Sequence, residues 1–197
     1  MNTEQIKIVR RSDRTLVDAQ LLGNLKPTDL LMVERQWESS RQLTHQRLLA
    51  AGIDRRNWPQ SLGWDWRRKA PILGQLAIGG YGIVESSDWQ AVCLIDCVSF
   101  HSRLPGQLGK PIVYLDFIEI APWNWNIPEI GQEGKFGACG SILFDRVRER
   151  SFDEGFRGRV GLHSLPQAET FYQQSCGMIP LGKDASKENL MYFETAK

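Results

Sequence analysis

The stretch that most constrains this chain is residues 112–120, Ile-Val-Tyr-Leu-Asp-Phe-Ile-Glu-Ile, closed by Ala121-Pro122. A run so rich in β-branched and aromatic residues, stopped by proline, reads as a buried central strand. The loop after it ends in Gly134-Lys135-Phe136-Gly137-Ala138-Cys139-Gly140-Ser141, whose small residues let a ligand approach the backbone closely. Residues 142–150 then read as an amphipathic helix. Strand, glycine-rich turn and helix together make an anion site, because the first N–H groups of a helix are unpaired and carry partial positive charge. The ligand expected there is a phosphate-bearing cofactor. Two phosphate-loop patterns are excluded. The P-loop needs Gly-Lys-Ser/Thr at its end, where this chain has Gly140-Ser141-Ile142; the dinucleotide pattern needs three spaced glycines after an early strand, and this turn lies past mid-chain without the third.

The next segment sharpens the reading. Residues 159–163 read as a short strand, followed by Ser164-Leu165-Pro166-Gln167-Ala168-Glu169-Thr170-Phe171-Tyr172 and, after Gln173 to Cys176, Gly177-Met178. This half of the chain resembles the GNAT superfamily of acetyl-CoA-dependent N-acetyltransferases. Its members share a strand ending near Pro, a Gln/Arg-x-x-Gly-x-Gly/Ala turn opening a helix, a further strand, and then Ala-x-x-Phe-Tyr-x-x-x-Gly-Phe. Ala168, Phe171, Tyr172 and Gly177 match the last element, with Met178 in place of Phe. In the turn, the preferred register is Lys135-x-x-Ala138-x-Gly140, and the competing one sets Gly137 and Cys139 at the two glycines. The resemblance implies an α/β (α+β) fold: a mixed, mostly antiparallel central sheet flanked by helices and splayed in the middle.

With 197 residues the chain is expected to form one domain, 1–197, with a sizeable core. Twenty-four basic and 23 acidic residues leave a net charge of +1, so no overall pull toward nucleic acid or a membrane surface follows. Cys93, Cys97, Cys139 and Cys176 form neither a Cys-x-x-Cys pair nor a secretory framework. The N-terminus lacks an apolar signal core, and no apolar run is long enough to span a bilayer. A reducing, cytoplasmic setting is expected. No cluster has metal-ligand spacing.

From the N-terminus, residues 5–10 alternate as a first strand, while 14–25 stay open between helix and strand. Thr28 reads as an N-cap after Pro27, and the helix over 29–51, polar in its middle, is expected to end at Gly52 and to face solvent in part. Arg55, Arg56 and Trp58 open a segment in which aromatic and basic residues interleave through Trp64, Trp66, Arg67, Arg68 and Lys69. It reads either as a substrate lip, with Trp64, Trp66 and Arg67 in contact with the acceptor, or as a Trp-anchored second helix with solvated cations. Residues 77–85 and 90–98 read as a hairpin through Ser86-Ser87-Asp88. The loop over 123–133 is long enough to wall a pocket, with Trp123 and Trp125 as substrate contacts. Two terminal strands are expected at 178–181 and 190–194.

Acetyl transfer to an amine requires that the amine lose a proton, that the thioester oxygen be stabilised and that the leaving thiolate be protonated. The resemblance implies that the backbone of Ile118, Glu119 and Ile120 holds the extended arm of acetyl-CoA (CoA). The N–H groups of Phe136, Gly137, Ala138, Cys139, Gly140 and Ser141, with Lys135 beside them, would hold its pyrophosphate. Tyr172 is the candidate general acid. Glu119, ranked first, and Asp116 are candidate bases, since an acid inside an apolar strand is raised in pKa by desolvation; standing three residues apart, they are expected on opposite faces. Ser164 is either a pantetheine or thiolate contact or a helix cap. His163 reads as a structural histidine. Cys139, at a helix N-terminus, is expected to have a lowered pKa and to be sensitive to alkylation.

The leading reading is an acetyl-CoA-dependent transferase acting on a primary amine of a small molecule or peptide. The alternatives are a non-catalytic binding module on the same fold and a toxin-type acetyltransferase acting on aminoacyl-tRNA. The last would bind nucleic acid through Arg55, Arg56, Arg67 and Arg68. A homodimer is compatible with the terminal strands and exposed tryptophans.

Overall fold

The computed structural model describes residues 2–196. Along the chain come strands β1 (Asn2–Arg10) and β2 (Leu16–Gly23), helix α1 (Pro27–Ala50), the one-turn helix α2 (Trp66–Lys69), strands β3 (Ile78–Glu85), β4 (Asp88–Asp96), β5 (Val113–Ile120) and the two-residue β6 (Phe136–Gly137). Helix α3 (Cys139–Asp153), β7 (Val160–Ser164), β8 (Met178–Asp184) and β9 (Leu190–Thr195) complete it. Among the described residues the strands form one sheet in the order β6-β1-β2-β3-β4-β5-β7-β9-β8. Every neighbouring pair is antiparallel except β5 and β7. This is the expected mixed, mostly antiparallel sheet. The stretch left open at 14–25 is resolved as strand β2. No described helix is long and apolar enough to cross a membrane.

The sheet has a separate core on each face. Leu143, Phe144 and Val147 of α3 pack with Ile8, Ile83, Cys93, Leu115, Leu162 and Phe193. Leu30, Val33 and Trp37 of α1 pack with Trp66, Val92 and Leu94 on the other side. Helix α1 starts differently from the expectation. Thr28 is not the cap: Pro27 takes the first helical position, Lys26 is the N-cap, and Asp29 Oδ2 accepts the Lys26 N–H at 2.7 Å. At its far end Gly52, with φ +66°, turns the chain as expected. Part of the polar middle of α1 faces solvent, as expected, with Arg35, Ser39 and Gln42 exposed, while Glu34, Arg41 and Thr44 turn inward and are buried.

The feature that builds the site is the junction of β5 and β7. These strands pair only at Val113↔Val160 and Tyr114↔Gly161. Close approach there needs Gly161, where a Cβ would lie 2.6 Å from Ile112 Cδ1 and from the Tyr192 hydroxyl. Beyond Tyr114 the strands diverge, and among the described residues β7 continues only with β9. The edge of β5 from Leu115 onward therefore lacks a neighbour on that side. Opposite β4, Leu94 pairs with Phe117 and Ile95 with Leu115, so Asp116 is the extra residue of a β-bulge.

The loop after β5 carries the chain to the opposite edge of the sheet and is fastened by polar side chains. Asn124 donates to Gln90 O at 3.2 Å and accepts the Phe136 N–H at 2.9 Å, while Gln132 bonds the carbonyls of Pro122 and Trp125. Gly134 belongs to this seam: a Cβ on it would stand 2.4 Å from Asn124 O. Replacing Gly134 by Ala is expected to cost about 1–3 kcal/mol of stability through backbone overpacking, read from urea unfolding; Gly137→Ala, where the nearest atom is 3.6 Å away, should cost less.

Candidate active site

The divergence of β5 and β7 opens a cleft of about 520 Å³ on the α3 side and a pocket of about 390 Å³ on the Trp64 side. Ile118, Leu165, Ala168 and Tyr172 line both, so these four residues form the shared wall of the two spaces at the splay. The cleft gathers Ile118, Glu119, Ile120 and the run from Phe136 to Ser141 on one wall. Lys135 does not join them; it is exposed, with Nζ 4.9 Å from the Phe136 ring centroid.

At the turn, Ala138 is the N-cap of α3 and has φ +68°. That left-handed conformation is one a glycine takes without steric cost, which accords with the register setting a family glycine at Ala138. The first N–H groups of α3 open toward the cleft with no side-chain cap on them. Arg11 adds a cation here, its Nε donating to Phe136 O at 3.3 Å. Sequence reasoning missed Arg11, because only the pairing of β1 with β6 brings it beside the turn. Cys139 corrects an expectation: burial pushes its thiol up to about 12 despite the helix N-terminus, and at 2% exposure it is closed to alkylating reagents.

Tyr172 sits in a π-helical turn, Phe171–Ser175, its ring 6.1 Å from Phe193 and 6.4 Å from Phe144. Burial raises its phenol well above the usual range and keeps it protonated. Glu119, ranked first among the bases, is engaged elsewhere. It is 4% exposed and takes a bidentate pair from Arg41 at 2.8 and 2.9 Å and the Trp66 indole N–H at 2.6 Å. Arg41 also approaches Glu34 at 3.6 Å, and Glu34 accepts the Trp66 backbone N–H at 2.8 Å. Desolvation raises the Glu34 carboxyl, against the Trp66 N–H and Arg41. A carboxylate so held anchors α1, α2 and β5 together and is not a free base.

Asp116 lines the Trp64 pocket instead, and burial raises its carboxyl, against the charges of Lys187 and Lys69. Asp116 and Glu119 line different spaces, Asp116 the Trp64 pocket and Glu119 the α3 cleft, while the charges of both favour the Lys69 ammonium. Lys69 lies 3.5 Å over the Phe117 ring and 4.7 Å over Trp64.

The expected substrate contacts divide. Trp64 lines the pocket. Trp66 is fully buried and serves the Glu119 anchor, so it is no lip residue. Trp123 bonds Gln90 Oε1 at 2.8 Å and packs in the α1-side core. Trp125 lines the α3 cleft, not the pocket. Ser164 is 1% exposed and spends its hydroxyl on Leu165 O at 2.8 Å, away from both spaces. Gln60 and Gln167, unread in the sequence, exchange two backbone-to-amide bonds of 3.0 Å and tie the 58–61 loop to the segment after β7 at the cleft wall. Three of the four basic residues considered for nucleic acid have carboxylate neighbours. Arg56 pairs with Asp54, Arg67 with Asp65 and Glu38, Arg68 approaches Asp65 at 3.8 Å, and Arg55 lies over Trp58.

No protein-family model matches the sequence, and no curated protein matches it. Solved structures do match in shape. The PaiA N-acetyltransferase of Thermoplasma acidophilum, in complex with coenzyme A, superposes with a TM-score of 0.53 at 12% identity, over 91% of this chain and 99% of that one. The chain has the GNAT fold. A GNAT-family acetyltransferase of Listeria monocytogenes 4b F2365 gives 0.53 at 12% identity, over 96% and 99% of the two chains. A GCN5-related N-acetyltransferase of Ralstonia eutropha JMP134 gives 0.52 at 16%, over 85% and 96%. In GNAT terms, the splay and the turn before α3 are where the sequence resemblance expects the acetyl-CoA arm and its pyrophosphate.

Removing one member of the buried anchor leaves the others desolvated and unpaired. Glu119→Ala is expected to cost about 3–5 kcal/mol of folding stability, read from urea unfolding.

Proposed function

We propose that this protein is an acetyl-CoA-dependent N-acetyltransferase that acts on a primary amine. The observation carrying the reading is that Tyr172 lines both the α3 cleft and the Trp64 pocket. An acyl donor and an acceptor entering from opposite sides of the sheet converge there.

The residues present fit the donor. The unpaired edge of β5 at Ile118, Glu119 and Ile120 can take an extended arm by strand addition. The open N–H groups at Ala138, Cys139, Gly140 and Ser141, with Arg11 beside them, suit a pyrophosphate. When bound, acetyl-CoA supplies an activated acetyl thioester. Tyr172, neutral by burial, is the proton donor for the departing sulfur. On the acceptor side Asp116 attracts the ammonium, and Trp64 and Phe117 wall the pocket, their rings carrying the Lys69 ammonium. A pocket of about 390 Å³ suits a small amine or one amine-bearing side chain.

The test is calorimetric titration with coenzyme A and acetyl-CoA, followed by an amine screen. Micromolar binding is expected. Gly140→Asp, which sets a carboxylate at the turn, should weaken it at least about tenfold by like charge. Tyr172→Phe should bind normally and turn over about 100-fold more slowly or worse. A folded wild-type protein that binds neither compound would overturn the reading. Binding without acetylation of any amine would leave a binding module on a GNAT fold.

A further inference from the structure

His163 does not stand alone on its strand. Its Nδ1 lies 2.7 Å from the Tyr114 hydroxyl, and its Nε2 lies 3.1 Å from Asp184 Oδ2. Asp184 also accepts from Arg103 Nη1 at 2.7 Å and from the Ser186 N–H and hydroxyl at 3.0 and 2.6 Å. Those bonds, from Ser186, Arg103 and His163, hold its carboxyl well below the usual range, so Asp184 is ionised and can only accept. The proton between His163 and Asp184 therefore belongs to Nε2. In neutral imidazole Nδ1 is then bare, and the Tyr114 O–H is the donor to it. Tyr114 is stacked on Phe100 at 3.7 Å between centroids, which fixes the phenol. The chain thus runs from the phenol through the imidazole to a carboxylate, each member oriented by the next.

Its placement gives it a use. Tyr114 and His163 both line the Trp64 pocket, together with Asp116 and Tyr172. We propose that Tyr114, His163 and Asp184 form the proton exit of the acetyl-transfer site, with Tyr114 taking the acceptor's proton as it passes its own to His163. This rests on the acetyl-transfer reading and deepens it. In the step, one N–H bond of the acceptor ammonium breaks and the nitrogen keeps the electron pair. The proton goes to Tyr114 Oη, the Tyr114 O–H bond breaks toward His163 Nδ1, and the imidazolium formed is paired with Asp184. Two protons move in relay, the net result is one proton passed from the acceptor to His163, and nothing is oxidised. Afterwards the imidazolium returns its proton to solvent through the pocket.

The groups facing His163 are Tyr114 on β5, Asp184 at the end of β8, Tyr192 on β9 with its ring 4.7 Å away, Arg103 in the loop after β4, and Lys187. Burial lowers the imidazole pKa, with Arg103 and Lys187 acting the same way, against Asp184. His163 is thereby neutral near pH 7 and free to accept. Tyr114 is the member that touches the acceptor. His163 and Asp184 act through it.

Two measurements test this. The first is imidazole nitrogen NMR of the full chain with coenzyme A bound. His163 should be neutral at pH 7 with its proton on Nε2, and should charge only below the ordinary histidine range. An imidazolium at pH 7 would overturn the proposal. The second is turnover of acetyl-CoA with two probe acceptors, benzylamine, protonated at neutral pH, and hydroxylamine, which is not. Tyr114→Phe and His163→Gln should lower kcat for benzylamine about 100-fold or more with little change in KM, and spare hydroxylamine. Equal losses for both probes mean a structural role and refute it. So does selective loss in Asp116→Asn alone, which would make that carboxylate the base. If coenzyme A does not bind, the acetyl-transfer reading and this proposal fall together. If it binds and His163 is charged at pH 7, only the proposal falls.

Discussion

Two residue pairs between β5 and β7, followed by separation, determine most of what this molecule can do. A parallel pair normally continues, because each further residue satisfies backbone groups that would otherwise stay open. Here the pairing stops after Tyr114↔Gly161. One side of β5 is left with unspent donors and acceptors, and space opens on both faces of the sheet. Leu165, Ala168 and Tyr172 fill the gap between the strands and line both spaces. The opening is a built feature, since the Asp116 bulge on the β4 side twists β5 where its other partner leaves.

A strand that has lost a neighbour needs support from elsewhere. That support is the buried cluster of Glu119, Arg41, Trp66 and Glu34, which ties β5 to both helices of the α1 side. Its cost in desolvation is offset by bidentate geometry and by the indole N–H. The cluster also separates roles among the acids of β5. Glu119 faces a guanidinium and is structural. Asp116 faces the pocket with no such partner and stays available to a ligand's charge.

Much of the fold was legible. The strand at 112–120, the 77–98 hairpin and the helix after the turn follow from apolar periodicity and breakers, and Phe171-Tyr172 with Gly177 gave the family likeness. What escaped was long-range or cancelled locally. Arg41 reads as a solvated helix residue because its partner Glu119 lies 78 positions away. The bulge at Asp116 leaves no mark in a sequence that is apolar on both sides of it. The Cys139 pKa was misread because the helix N-terminus was weighed and burial was not. The partners of His163 are not legible either, since Tyr114 and Asp184 join it only through the packing of β5, β7 and the end of β8.

The central claim is that the open edge of β5 receives an extended cofactor arm while the turn at α3 receives its phosphates. Amide hydrogen exchange of the full chain with and without coenzyme A tests it most directly. Slowed exchange confined to the β5 amides after Leu115 and to residues 138–141 is the expected result. Coenzyme A binding that leaves both segments unprotected, or protects a different edge of the sheet, would contradict it.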